Sequence, residues 1–180
     1  YLADRDPAFR AKIADYRSQL EAANGPAERH AVQLKISRNL SGYCGEKIVE
    51  QALSPLGHKA DTQARTTFED GRFTKTDLII EDLKVSVILG RGEGMSAPAG
   101  GSIAIEVKCG RASYLYSQKD HMVFQSGGHQ EANASMTVCS RDIKDLTPEQ
   151  EEELREALRS AGSPLIGMLP TKDEIDKACW

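Results

Sequence analysis

Apolar residues recur every three or four positions in the first third of the chain, then give way to short alternating runs. Phe9, Ile13, Tyr16 and Leu20 follow the helix-opening pair Asp6-Pro7 and predict a helix that Asn24-Gly25-Pro26 stops. Val32, Ile36 and Leu40 share the stripe of a second helix. A third is marked by Ile48, Val49, Ala52, Leu53 and Leu56 and ends near Leu56-Gly57. At 100° per residue Glu46 sits at the edge of its buried stripe, Glu50 lies further round and Lys47 faces away.

The middle of the chain reads as strands. Residues 58–68 form a candidate strand, and Glu69-Asp70-Gly71-Arg72 a turn, with Asp-Gly its strongest signal. Residues 73–81 predict a strand bearing Asp77, and residues 85–89 a strand that pairs back on it. Residues 90–101 are Gly-rich and read as a mobile hairpin loop. β-branched Ile103, Ile105 and Val107 then mark a strand before Gly110. Residues 114–125 read as one helix with Leu115, Gln118, Met122 and Gln125 on one side and His121 beside them, until Gly127-Gly128 breaks it. Residues 136–140 are a further strand. Thr147-Pro148-Glu149-Gln150 has capping-box spacing with Pro at the first helical position, and Leu154 and Leu158 supply the stripe. Residues 164–170 predict a short strand, and Thr171 with Glu174 caps a last turn around Ile175. The sum is an α/β chain: a central mixed β-sheet flanked by helices, with an N-terminal helical region over residues 1–41 and an α/β domain over 42–180.

Chemistry gathers at two places in this pattern. Thr76-Asp77-Leu78-Ile79-Ile80 puts an acid at the head of an apolar run, and Ile103-Ala104-Ile105-Glu106-Val107-Lys108 ends another in Glu-Val-Lys. Alternation puts Glu106 and Lys108 on one strand face, roughly 6.5–7 Å apart by strand rise. Asp77 can approach from its own strand. Two carboxylates beside an ammonium can hold Mg²⁺ next to a phosphate.

This arrangement resembles the PD-(D/E)XK nuclease superfamily, whose core motif is an Asp, a spacer and Glu-x-Lys. The resemblance spans roughly residues 42–140 and rests on order: a helix with Glu46, a strand with Asp77, a strand with Glu106 and Lys108, then a helix with Gln and His. Thr76 stands where the family nominally has Pro. The resemblance implies a restriction-endonuclease-like core and a metal-dependent endonuclease. Its metal, Mg²⁺ or Mn²⁺ with Zn²⁺ as an alternative, would be held by Asp77, Glu106, the Val107 carbonyl and Glu46. Lys108 would orient water and stabilise the phosphate oxygen. Gln118 is the polar residue carried over on the following helix, with His121 and Gln125 as alternatives. The chain also resembles the C-terminal toxin domains of bacterial polymorphic and contact-dependent growth inhibition systems. The superfamily resemblance puts DNA ahead of tRNA as substrate, and the toxin resemblance implies a cognate immunity protein and action in the bacterial cytoplasm after delivery within a larger secreted protein. Tyr1 in place of Met fits a fragment or processed product. Two rivals stand beside this reading: a repair or restriction enzyme, and a non-catalytic binding module in which Asp77, Glu106 and Lys108 form an ordinary ion-pair cluster.

Composition adjusts the picture. The 180 residues are 39% hydrophobic and 28% charged, enough core for one domain. Residues 142–180 carry ten acids and five bases, leaving eighteen bases against seventeen acids before them. The body is therefore near neutral and lacks the broad basic footprint of many nucleic-acid binders, so any such binding depends on local cations. Cys44, Cys109, Cys139 and Cys179 are far apart with no C-x-x-C, which disfavours zinc and iron–sulfur sites and predicts buried free thiols. His121 and His129 with a cysteine are a further metal-site alternative. The Gly-rich loop lacks the Gly-Lys-Ser/Thr ending of a phosphate loop. No window approaches the ~20 apolar residues of a membrane span.

Overall fold

The computed structural model describes residues 6–60, 65–89, 95–129 and 131–179. Asp6 caps α1 (Pro7–Ala22), its Oδ1 accepting from the amides of Ala8 and Phe9 at 2.9 and 3.1 Å. Gly25, at a φ of +88° that suits only glycine, turns the chain into α2 (Pro26–Leu53). The two helices expected here are one, 28 residues long. Gly42 and Gly45 weaken it by about 1 kcal/mol each, but Ile36, Leu40, Cys44 and Val49 are buried along its whole length and packing prevails. Residues 41 and 42, the expected division between helical region and α/β domain, lie inside this helix. Gly45 permits its close seat on the sheet, for a Cβ there would stand 3.1 Å from Cys109 Sγ and 3.4 Å from Val107 Cγ1.

The central sheet has five strands in the order β1 (His58–Lys59), β4 (Leu78–Glu81), β7 (Ile103–Lys108), β8 (Ala134–Ser140) and β9 (Leu165–Leu169). The first three run antiparallel and the last three parallel, so the sheet is mixed as anticipated. The parallel steps need crossovers, supplied by α3 (Ala112–Ser117) and α4 (Lys119–Ser126) between β7 and β8, and by α5 (Pro148–Ser160) between β8 and β9. α2 covers one face through Val49 packed on Leu78, Ile80, Ile105 and Val107. α3, α4 and α5 cover the other through Leu115, Met122, Leu154 and Leu158. α1 and α6 (Lys172–Cys179) close over the outer side of α2.

Four local expectations change. The strand expected over residues 73–81 is broken at Thr76-Asp77 into β3 (Phe73–Lys75) and β4, and β3 pairs with β2 (Arg65–Thr67) in a separate hairpin. β2 and β1 are distinct strands where one was expected, with residues 61–64 outside the described ones. β5 (Val87–Leu89) pairs with β6 (Met95–Ala97), inside the stretch read as loop, because β7 already occupies the edge of β4 that β5 would need. The helix expected over 114–125 is two helices meeting at Gln118, whose φ/ψ of −91° and 4° departs from helical values. The capping boxes at Thr147 and Thr171 form as read. Cys44 is disulfide-bonded, against the expectation of free thiols throughout, whereas Cys109 and Cys139 are free. Among the described residues no helix is long and apolar enough to cross a membrane.

Candidate active site

The break before β4 builds the site. β4 and β7 pair from Leu78 opposite Ile105 to Ile80 opposite Ile103. One step beyond that ladder, Asp77 Oδ2 accepts the Val107 amide proton at 2.8 Å, standing in for a strand carbonyl. That bond holds the half-buried Asp77 carboxylate over the end of β7. Val107 thus enters the site through its N–H.

Glu106 projects from β7 toward α4 and is fully buried. Its Oε1 accepts from Lys108 Nζ at 2.6 Å and from Gln125 Nε2 at 2.6 Å. The two side chains separated by a double strand step therefore meet at their tips, because the lysine stem folds back over the shared face. Burial pushes the Glu106 carboxyl up to about 8, and the charge of Asp77 acts in the same direction against Lys108. Glu46, partly buried on α2, is pushed up to about 7, first by burial and then by Asp77, with Lys12, Lys59 and Lys108 opposing. Asp77 is the charge common to both acids. Glu50 instead pairs with Lys47 at 3.2 Å and Lys59 at 3.0 Å in a surface network.

Of the polar residues after Glu-x-Lys, it is Gln125 that touches Glu106, while Gln118 occupies the α3–α4 junction two helical turns earlier. His121 lies within the field of Lys108, and burial foremost lowers its pKa. His129 ends the 3₁₀ turn Gly127–His129 and is buried with its Nε2 3.9 Å from Glu106 Oε2. Burial drives the imidazole pKa down to about 4, so the ring is neutral at ordinary pH. Sequence reasoning offers His129 only as a partner of His121 and a cysteine. Its one sequence signal is position, directly after a Gly-Gly helix stop.

The β2–β3 hairpin flanks this cluster. Thr66 Oγ1 donates to Gly128 O at 2.9 Å, and β3 runs through Thr76 straight into Asp77. Its outer side is cationic and aromatic. The Arg65 guanidinium lies 3.9 Å over the half-exposed Phe73 ring, Arg72 lies 4.5 Å over Phe124, and Lys75 is exposed opposite Arg65. Sequence reasoning marks these residues only as strand and turn.

Mg²⁺ is ordinarily bound through one or two carboxylates, with water and substrate phosphate completing the shell. Asp77 and Glu106 supply that pair, and Glu106 Oε2 is buried without a hydrogen-bond partner among the described residues. The donor chemistry fits a divalent cation. A ready-made cage is a different matter: no group of three or more His, Cys, Asp or Glu side chains that could hold a metal occurs among the described residues, the His121–His129–cysteine alternative included. No family model, curated protein or solved structure matches this chain.

Proposed function

We propose that the chain is a metal-dependent endonuclease that hydrolyses phosphodiester bonds, with DNA ahead of RNA as substrate. The observation that carries this reading is Glu106: a fully buried carboxyl held between Lys108 and Gln125, with Asp77 beside it. A plain structural ion pair has no need to bury one acid against a second. The order of elements, helix with Glu46, acid before β4, Glu-x-Lys on β7 and then a glutamine-bearing helix, supports the resemblance to PD-(D/E)XK nucleases.

Asp77 and Glu106 would hold Mg²⁺ or Mn²⁺, with Glu46 added directly or through water. A cation there supplies a lowered water pKa and neutralises charge that builds on the phosphate. Loss of the Glu106 proton accompanies its binding, since the anionic carboxylate is the ligand. Gln125 fixes one Glu106 oxygen and leaves the other free to bind. Lys108, tethered by the same oxygen and mostly buried, presents its ammonium to the attacking water and a non-bridging phosphate oxygen. Water adds to phosphorus as the P–O ester bond breaks, giving a phosphate monoester and an alcohol. The hairpin cations Arg65 and Lys75 offer local positive charge, while Arg72 is paired with Asp70 at 2.6 Å.

The test is cleavage of plasmid DNA and total tRNA with Mg²⁺, Mn²⁺ or Zn²⁺ and with EDTA. Metal-dependent cutting should vanish in Asp77→Ala and fall by about 10²–10³-fold in Lys108→Met, the size of loss seen when one transition-state donor is removed. Unchanged cutting in Lys108→Met would refute its role, and no cutting under any metal would favour a binding module. The antibacterial toxin role, with its immunity protein, rests on the resemblance alone. Cytoplasmic expression should arrest growth in the wild type and not in Asp77→Ala.

A further inference from the structure

The β2–β3 hairpin carries more than its own packing needs. Its inner side is fixed to the body at three points. Thr66 Oγ1 donates to Gly128 O at 2.9 Å, Thr74 is buried against Gly128, and the Phe68 ring meets Phe124 at 4.7 Å between centroids. Phe73 lies on the opposite, outer side with Lys75. It is 50% exposed and carries the Arg65 guanidinium 3.9 Å over its ring. Arg65 and Lys75 stand opposite each other in the ladder, and neither makes an ion pair among the described residues. The hairpin's acids, Glu69 and Asp70, lie at its turn, where Asp70 is held by Arg72 at 2.6 Å.

A lone exposed apolar residue is ordinary on a protein surface. A flat ring capped by a flat cation, with a second unpaired cation beside it, is a surface on which a nucleic-acid base stacks while the cations take its phosphates. The surface is also within reach of the site. Thr74 and Thr76 turn inward and are buried, so Phe73, Lys75 and Asp77 share the other parity along the chain. Phe73 is four residues before Asp77, at most about 14 Å of extended chain. A strand with a base on Phe73 passes Lys75 before a neighbouring phosphate reaches Asp77. A base inside a duplex offers no free face, because its neighbours cover both, and uncovering one means unstacking it. Duplex binding leans instead on many phosphate contacts, for which a chain of net charge −4 is poorly equipped.

We infer that the Phe73 ring and the Arg65 guanidinium form a stacking platform for an unpaired base, and that the chain acts on single-stranded DNA in preference to duplex. The inference rests on the nuclease reading of Asp77 and Glu106 and adds the form in which the substrate is taken.

The probes are a short fluorescein-labelled DNA strand and the duplex it forms with its complement. Binding to the purified chain is read by fluorescence anisotropy in EDTA, where a metal-dependent enzyme cannot cut, and cleavage of both probes is followed with Mg²⁺ or Mn²⁺. Wild type should bind the single strand about 10-fold or more tightly than the duplex and cut it faster. Phe73→Ala should weaken single-strand binding about 5–100-fold, the range for loss of one base–aromatic stack, and change duplex binding less than about 2-fold. Phe73→Tyr keeps the ring and should retain wild-type affinity, whereas Phe73→Leu, apolar without a π-face, should not. That contrast decides the matter if Phe73→Ala does not fold. Duplex bound or cut as well as the single strand overturns the inference, as do Phe73→Ala and Phe73→Leu variants that bind like wild type. Cutting that is lost in Asp77→Ala would then leave the nuclease reading standing. Neither probe bound and neither cut under any metal overturns both.

Discussion

Glu106 shows how one side chain sets the behaviour of the site. Its folded carboxyl is pushed up to about 8, far above the ~4.3 of an unfolded glutamate. The folded chain thus keeps a proton that the unfolded chain releases. The stability associated with that proton is full below about pH 4.3 and is lost as pH rises toward 8. Glu46, pushed up to about 7, acts with the same sign over a lower window. The metal-free protein should therefore melt at steadily lower temperature from pH 5 to 8. Glu106→Gln should flatten that slope most between pH 7 and 8, where more than half of Glu46 has titrated and Glu106 carries the larger share. A saturating divalent cation should reverse the trend in wild type, since it binds the ionised carboxylate. A melting temperature that does not fall between pH 7 and 8 in wild type would count against a buried, protonated Glu106. Asp77, Glu106 and Lys108 were legible because each sits at the end of an apolar run. Gln125 was readable only as one of three choices, since the Gln118 break resets the helical phase that picks among them.

Among the elements, the β2–β3 hairpin and the 3₁₀ turn decide where Asp77 and His129 stand. Gly128 is the seam. A Cβ there would lie 2.2 Å from Thr74 Cγ2 and 3.5 Å from Thr66 Cβ, so any larger residue pushes the hairpin away. Gly128→Ala should destabilise the fold by about 1–3 kcal/mol, as overpacking does, and should lower cleavage as well. Thr74→Ser removes the methyl that the new Cβ meets, so the double variant should recover most of the loss in a thermal melt. No recovery would mean that the seam is not where the strain lies. The capped helices were readable in advance, because a capping box is local: Thr147 and Gln150 satisfy each other's backbone within one turn. The pairing of β5 with β6 was not, because which edge a strand finds depends on what β7 already occupies.

At the scale of the whole molecule, charge is arranged rather than abundant. The chain carries a formal net charge of −4, yet Arg65 and Lys75 stand opposite each other on the hairpin that leads into Asp77, with Arg72 at its turn paired to Asp70. Replacing all three with Ala should raise KM for a nucleic-acid substrate about 10-fold or more at moderate salt. It should also flatten the salt dependence of binding, by up to about 0.9 in slope for each phosphate no longer neutralised. An unchanged salt slope would place the substrate elsewhere on the surface.

The sequence by itself determined the mixed α/β class, most helix starts and the positions of Asp77, Glu106 and Lys108. These follow from periodicity, caps and strand alternation, which act over a few residues. Only the tertiary structure decided that α2 runs unbroken for 28 residues and that Asp77 leaves its strand to take the Val107 amide. It alone brought Gln125 and His129 to Glu106. Those outcomes turn on packing between residues far apart in the chain, where the burial of one element against another outweighs local preference.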